Sequence, residues 1–419
     1  GDLVLEEFLP EVADAISDIT ARPMVLEALA LLGKPAVPTM AGLLTRRDLS
    51  LPTRRSIVTA LASIEGSAAR DSLIALAEEP ALGPAAMNSL LRMRVAGRID
   101  PIDPATLQGT MEEEMAKGLR FSLAASGLRS MAGDNPEAIF VARELESLRA
   151  RSLHRVLRVL SLSYDTRRLS PVATALLSKD IARVSNALEL LEGSISQDTA
   201  ALVMPFMEAA AENFPEWRTI ELVPDAITIL QNPGETLTNE KDWWPRSLGL
   251  HVLGRDDEIS TPGRHKNKAD DAQEDEAMIP LIEKVMILKG SELFRNFPGP
   301  DLAGIASLAQ VVYLEPDEVL FNQGEEGDAF YMVVQGGVRI TRGSTELAIL
   351  GTREGFGEMA ILDQETRSAT ATAAEATTLL RIGQDSFDQL IEQNPTVARG
   401  IYRVLTERLR NTLAQVAAG

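Results

Sequence analysis

Cysteine is absent from this 419-residue chain, which excludes disulfides and thiolate chemistry and favours a reducing compartment. Histidine is nearly as scarce. His154, His251 and His265 stand far apart in sequence, which weighs against a zinc site or a Ser-His-Asp relay. Basic residues are in deficit, 41 Lys and Arg against 61 Asp and Glu, for a formal net charge of -20. Such a molecule as a whole repels nucleic acid, so no nucleic-acid partner is expected. No run of eighteen apolar residues occurs and the start carries no charged-then-apolar leader, so no membrane span is expected in this chain. The first residue is Gly1, not methionine, which suggests a trimmed piece or the soluble part of something longer. The expected location is the cytoplasm, or the cytosolic face of a membrane protein.

What is present is enough apolar residue, 45%, to build cores for two or three domains. Residues 1–254 are rich in alanine, leucine and arginine at helical spacing. Ala36 to Leu44, then Arg54-Arg55 and Thr59 to Gly66, finds a similar order in Ser170 to Leu177, Arg183 and Ala187 to Gly193. Each reads as a helix, a polar turn and a second amphipathic helix stopped by glycine. The pattern resembles HEAT repeats, paired helices that stack into a solenoid with a long exposed surface for a protein partner. Residues 136–163, with Val141, Leu145, Leu148, Leu153, Val156, Leu157 and Leu160, predict a long helix or a hairpin packed on the repeats. Glu112-Glu113-Glu114 reads as a solvated patch, because consecutive helical positions do not converge on one face. Trp243-Trp244 reads as aromatics buried between repeats, and the pairs Arg46-Arg47 and Arg54-Arg55 as a soluble surface.

Residues 255–277 alternate blocks of opposite charge and hold one large aliphatic, Ile259. The stretch cannot bury enough apolar area to offset its ordering entropy, so it reads as a charged flexible linker.

Residues 278–419 change texture again. Glu318 to Phe321, Phe330 to Val334, Val338 to Arg342, Glu346 to Leu350 and Thr377 to Ile382 are short strand-like runs separated by glycine-rich turns. Between the last two lie Phe356-Gly357-Glu358-Met359-Ala360 and, nine positions after Glu358, Arg367-Ser368-Ala369-Thr370. In this order the residues resemble the phosphate-binding cassette of the cyclic-nucleotide-binding domain family, over roughly residues 278–418. The ligand this implies, a cyclic nucleotide, offers an anionic phosphodiester, a ribose 2'-hydroxyl and a flat purine. Arg367 can fork onto the phosphate oxygens, Glu358 can accept from the hydroxyl, and Gly357 lets backbone N–H groups approach closely. The resemblance departs at Thr366, where many members carry proline. It implies a ligand-binding set of Phe356, Gly357, Glu358, Met359, Ala360, Arg367, Ser368 and Ala369, with Ser368 able to touch the phosphate or a guanine edge. The ligand is then cAMP or cGMP, with no metal and no other cofactor.

The fold class expected is an α+β multidomain chain: an N-terminal HEAT-like solenoid, then an antiparallel β-barrel or jelly roll with flanking helices. Helical spacing at 384–393 and 396–413 predicts terminal helices, and in the resembled family the last of them covers the purine, which points to Leu405 to Leu409 as a lid. No paired catalytic carboxylates, nucleophile relay or metal constellation stands out, so a non-enzymatic regulator is expected. The order of parts also resembles the cytosolic tail of bacterial ATP/ADP-translocase-type transporter fusions, which implies a covalently linked membrane domain as partner. A soluble signalling adaptor and a ligand-free scaffold are the alternatives.

Overall fold

A computed structural model describes residues 14–18, 20–46, 48–77, 79, 81–176, 178, 180–260, 279–291, 294–295, 297–357, 366–384 and 406. The chain divides into two units, Gly1–Val252 and Leu253–Gly419.

The first unit is helical. It opens with α1 (Arg22–Leu32), α2 (Val37–Thr45), α3 (Leu51–Leu61), α4 (Ser67–Ala75) and α5 (Gly83–Val95). Two long helices follow, α6 (Pro104–Ala132) and α7 (Pro136–Ser163), then α8 (Thr166–Leu176), α9 (Ile181–Glu192), α10 (Gln197–Ala211), α11 (Glu216–Leu222), α12 (Ala226–Gln231), α13 (Pro233–Thr238) and α14 (Trp243–Val252). Local chemistry marks the starts of the long pair. Asp103 accepts from the Ala105 amide, and Asn135 from those of Glu137 and Ala138, each just before a proline. Proline at the first helical position loses nothing, because its missing N–H would be unpaired there anyway. Gly133, at φ 51°, turns the chain between them.

The leucine stripe predicted over 136–163 lies on one continuous helix, α7. Val141, Leu145, Leu148, Leu153, Val156, Leu157 and Leu160 are all buried. Helices α6 and α7 pack along each other as a hairpin. The helix pairs expected at 36–66 and 170–193 are present as α2–α3 and α8–α9. Their neighbourhood, however, differs from the stacking expected of HEAT-like repeats, in which each repeat touches only the next. Helix α6 packs against α10, α11, α12 and α13, and α7 against α5, α8 and α14.

Two smaller expectations meet different fates. Trp244 is fully buried, its ring edge-on to Trp243 at 5.5 Å. The Glu112–Glu114 run is not uniformly solvated: Glu114 is buried and its carboxylate sits 3.4 Å from Lys117 Nζ and 3.3 Å from Arg155 Nη1. Three consecutive helical residues sweep a wide arc, so one must turn inward, and a buried carboxylate requires such cations. Of the expected linker, residues 261–277 lie outside the described residues. Asp256–Glu258 form a single 3-10 turn, with Arg255 Nε 2.6 Å from Glu258 Oε1.

Among its described residues the second unit holds α15 (Leu281–Gly290), α16 (Gly299–Ala306) and eight strands: β1 (Gln310–Leu314), β2 (Val319–Phe321), β3 (Ala329–Gln335), β4 (Val338–Arg342), β5 (Thr345–Leu350), β6 (Gly355–Phe356), β7 (Thr370–Ala373) and β8 (Thr377–Gly383). They form two antiparallel four-stranded sheets, ordered β1-β8-β3-β6 and β2-β7-β4-β5. Of the barrel or jelly roll expected, the structure has two open sheets, not a closed barrel. Their inner faces share one core, with Leu314, Ala329, Tyr331, Val333, Phe356 and Leu379 from the first sheet meeting Val338, Ala371 and Ala373 from the second. Alternation along β3 explains its continuous burial. Ala329, Tyr331 and Val333 face the other sheet, while Phe330 on the opposite face meets Phe294 at 5.6 Å, and α15 packs against the same strand. The predicted terminal helices and the Leu405–Leu409 lid lie outside the described residues, Gln384 and Thr406 apart.

Close helix packing generates a stability prediction. A Cβ at Gly249 on α14 would stand 2.7 Å from both the Gly234 carbonyl oxygen and Leu237 Cβ on α13. Gly249→Ala is therefore expected to cost about 1–3 kcal/mol, seen as a lower denaturation midpoint with an unchanged slope.

Candidate functional site

The site grows from the inner face of the first sheet. Phe356 on β6 is in register with Tyr331 on β3, their rings stacked at 5.5 Å and 19°. Phe321 at the end of β2 closes the cluster from the second sheet, 5.9 Å from Tyr331 and 6.1 Å from Phe356. Sheet pairing thus fixes three aromatic rings as a floor.

Arg367 lies on that floor. Its backbone is clamped to the turn after β2: its N–H donates to the Glu325 carbonyl at 2.8 Å, and the Gly324 N–H donates to its own carbonyl at 2.8 Å. The neighbouring Thr366, standing where the resembled family often has proline, makes a bridge with Glu326. The side chain turns inward and is 4% exposed. Its guanidinium carbon is 4.1 Å from the Phe321 ring centre and 5.6 Å from that of Tyr331. Nη1 donates to the carbonyls of Ala329, at 3.0 Å, and Gly357, at 3.4 Å. Nη2 is 3.7 Å from Asp328 Oδ1. Nε is buried with no hydrogen-bond partner among the described residues.

The cation is retained under strain. Burial pushes the Arg367 pKa down, while Tyr331, Asp328 and Glu325 work the other way. Asp328 is shared, its other oxygen accepting from Arg381 Nη2 at 2.6 Å. Burial also opposes the Arg381 charge, but Tyr331 and Asp328 outweigh it and its pKa is raised. Glu325 is held below the usual carboxylate range, first by the Asn322 side chain and then by its backbone.

Gly357 follows β6 at φ 81°. A Cβ there would lie 2.7 Å from Arg367 Nη1 and 3.1 Å from the Ala329 oxygen. The position therefore excludes any side chain twice, by backbone conformation and by space.

Among the expected site residues, the structure brings Phe356, Gly357 and Arg367 together. Ala369 is buried and Ser368 is exposed beside them, the Ser368 carbonyl accepting from Arg342 Nε at 3.2 Å. Glu358, Met359 and Ala360 lie outside the described residues. Sequence reasoning read Phe321 and Tyr331 only as strand formers and passed over Asp328 and Arg381. The signal was available for Tyr331, which alternates with Ala329 and Val333 on the core side of β3.

A buried guanidinium with an N–H left without a partner among the described residues fits an anionic oxygen. Residues 311–394 match the cyclic nucleotide-binding domain family. The C-terminal unit carries a cyclic nucleotide-binding domain. Similarity to curated proteins falls on the same region. The Cyclic AMP receptor protein of Thermus thermophilus is 38% identical over 128 residues, 29% of this chain and 59% of that protein. The cGMP-dependent protein kinase of Eimeria tenella is 34% identical over 87 residues, 21% of this chain and 9% of the kinase. The chain thus spans less than two thirds of either relative. Among solved structures, the N-terminal domain of a transcriptional regulator from Streptomyces coelicolor A3(2) is 30% identical, covers 31% of this chain and 94% of its own, and has a TM-score of 0.30. No described helix is long and apolar enough to cross a membrane, and no group of three or more His, Cys, Asp or Glu side chains among the described residues is placed to hold a metal.

The aromatic floor of the cyclic nucleotide-binding domain is open to a direct test. Phe321→Leu keeps an apolar side chain but removes the ring beneath Arg367, and is expected to destabilise the unit by about 1–2 kcal/mol. In an Arg367→Met background the same change should cost much less, so the double-mutant cycle checks the coupling.

Proposed function

We propose that the C-terminal unit binds a cyclic nucleotide, cAMP or cGMP, and that the chain is a non-enzymatic regulatory module. The observation that carries this reading is the buried Arg367 guanidinium, held by carbonyls and rings with its Nε unpartnered among the described residues. In this reading the phosphodiester pairs with that cation, and Gly357 leaves room for it. Glu358 accepts from the ribose 2'-hydroxyl, Met359 and Ala360 join Phe356 in the ligand-binding set, and Ser368 and Ala369 flank the phosphate. The aromatic floor contributes by fixing the fork before the ligand arrives, so less ordering accompanies binding.

The wider reading joins this sensor to the helical unit. Ligand favours one arrangement of the C-terminal helices only by its difference in affinity between states, a coupling of about 1–3 kcal/mol on the usual scale. The helical unit supplies the surface for a protein partner or for a linked membrane transporter domain. Support for that part is the order of elements alone.

Calorimetric titration of the intact chain with cAMP and with cGMP tests the core of the proposal. Saturable binding near about 1 μM, equivalent to about -8 kcal/mol, should be lost in Arg367→Ala, and the tighter ligand names the messenger. Arg367→Ala binding as tightly as the parent would remove Arg367 from the site. No heat and no thermal shift with either ligand would leave a scaffold that keeps the sheets only for protein contacts.

A further inference from the structure

The helical unit contains a second polar site, unrelated to the cyclic nucleotide reading. A cavity of about 90 Å³ lies where α6, α7 and the turn from α10 to α11 meet, with Ser126, Arg129, Glu146, Arg149, Asn213 and Glu216 in its wall. We propose that this cavity binds the carboxylate or phosphate group of a small molecule, with Arg149 as the recognising cation.

The charged groups in the wall are unequally matched. Glu146 accepts from Arg129, and Glu216 from Ser126. Arg149 instead makes its short contacts with neutral groups: Nη2 donates to Asn213 Oδ1 at 2.9 Å, and the guanidinium lies 4.9 Å from the centre of the Phe214 ring. Burial pushes its pKa down and Arg129 adds to that, while the Glu146 charge opposes them only in part; a bound anion would act in the same direction as Glu146. A planar fork is the group best suited to carboxylate and phosphate oxygens.

Backbone strain is concentrated at the same place. Asn213 and Phe214 are consecutive residues in the left-handed region, at φ 59° and 54°. A bulky residue there is a true outlier, and such outliers persist where the surroundings over-determine them, often at ligand sites. Here the strained pair delivers an amide oxygen and an aromatic face to one guanidinium. Phe214 is fixed in turn by its edge contact with Phe206 at 5.3 Å. A purely structural tie between α7 and this turn would account for the contacts, but not for a space of several water-sized groups walled by four charged side chains. That volume suits a single oxyanion group and not a whole nucleotide.

The test is calorimetric titration of the full chain with sodium phosphate and with sodium succinate, at ionic strength held constant with chloride. Saturable binding of either probe, retained in Arg367→Ala and weakened at least tenfold in Arg149→Gln, is the expected result, and the preferred probe separates a phosphoryl from a carboxylate ligand. Arg129 is half exposed, so Arg129→Gln should fold normally by circular dichroism. It releases Glu146 to neutralise Arg149 and should weaken binding several-fold, which decides the matter even if Arg149→Gln fails to fold. No saturable binding of either probe would overturn the proposal. So would binding that Arg129→Gln leaves unchanged, or binding that disappears in Arg367→Ala.

Discussion

Placing a guanidinium between two β-sheets removes it from water, and much of the C-terminal unit is arranged around that single desolvation. Arg367 is buried, with the rings of Phe321 and Tyr331 against its guanidinium. Its charge is tolerated because each part of the sheet architecture returns something: carbonyls from the end of β3 and the turn after β6, ring faces from β2 and β3, and a distant carboxylate shared with Arg381. These are weak substitutes for hydration. An arginine so placed is kept poised, with one donor still unmatched among the described residues, and any oxyanion that reaches it meets an environment of low polarisability in which the attraction is enhanced. Register matters more than strand number here, since a one-residue slip of β3 would send Tyr331 to the opposite face.

In the helical unit the comparable constraint is steric. The α6–α7 hairpin lets short helices approach it closely because small residues occur where they cross. Gly118 meets the Phe206 ring and Ser152, and Gly127 faces the backbone of Leu230. Helices of only six or seven residues, such as α11, α12 and α13, have little stability of their own. They depend on that spine for their burial, and Arg120 of α6 adds an ion pair at 2.8 Å to the buried Glu240 just before α14.

The sequence was most legible where a residue's chemistry has one use. Glycine followed by a distant arginine in a strand-rich context singled out Gly357 and Arg367, which the structure brings together, whereas the Asp-Pro and Asn-Pro steps at the starts of α6 and α7 went unread. Strands with large aliphatic and aromatic residues were visible, whereas β7, built of alternating threonine and alanine, was not distinguishable from the cassette it follows. Strand β6 has only two residues, too few for any period. The inward turn of Glu114 escaped because its partner Arg155 is 41 residues away, and distant ion pairs leave no local signature. The shared spine escaped for a related reason: periodicity identifies an apolar face without saying which helices will cover it.

The position of β8 has a consequence for how the protein is made. It is the last of the described strands to be synthesised, yet it is inserted between β1 and β3, and its pairing with β1 joins residues 63 to 71 positions apart. Until it emerges from the ribosome, β1 and β3 have no common neighbour and the apolar face of β3 has no completed sheet around it. The helical unit, made first and rich in contacts between nearby segments, can form during translation. The sandwich must wait for its keystone, so a nascent chain halted before residue 377 would leave β1 with no partner strand and one edge of β3 unpaired, open to association with other chains.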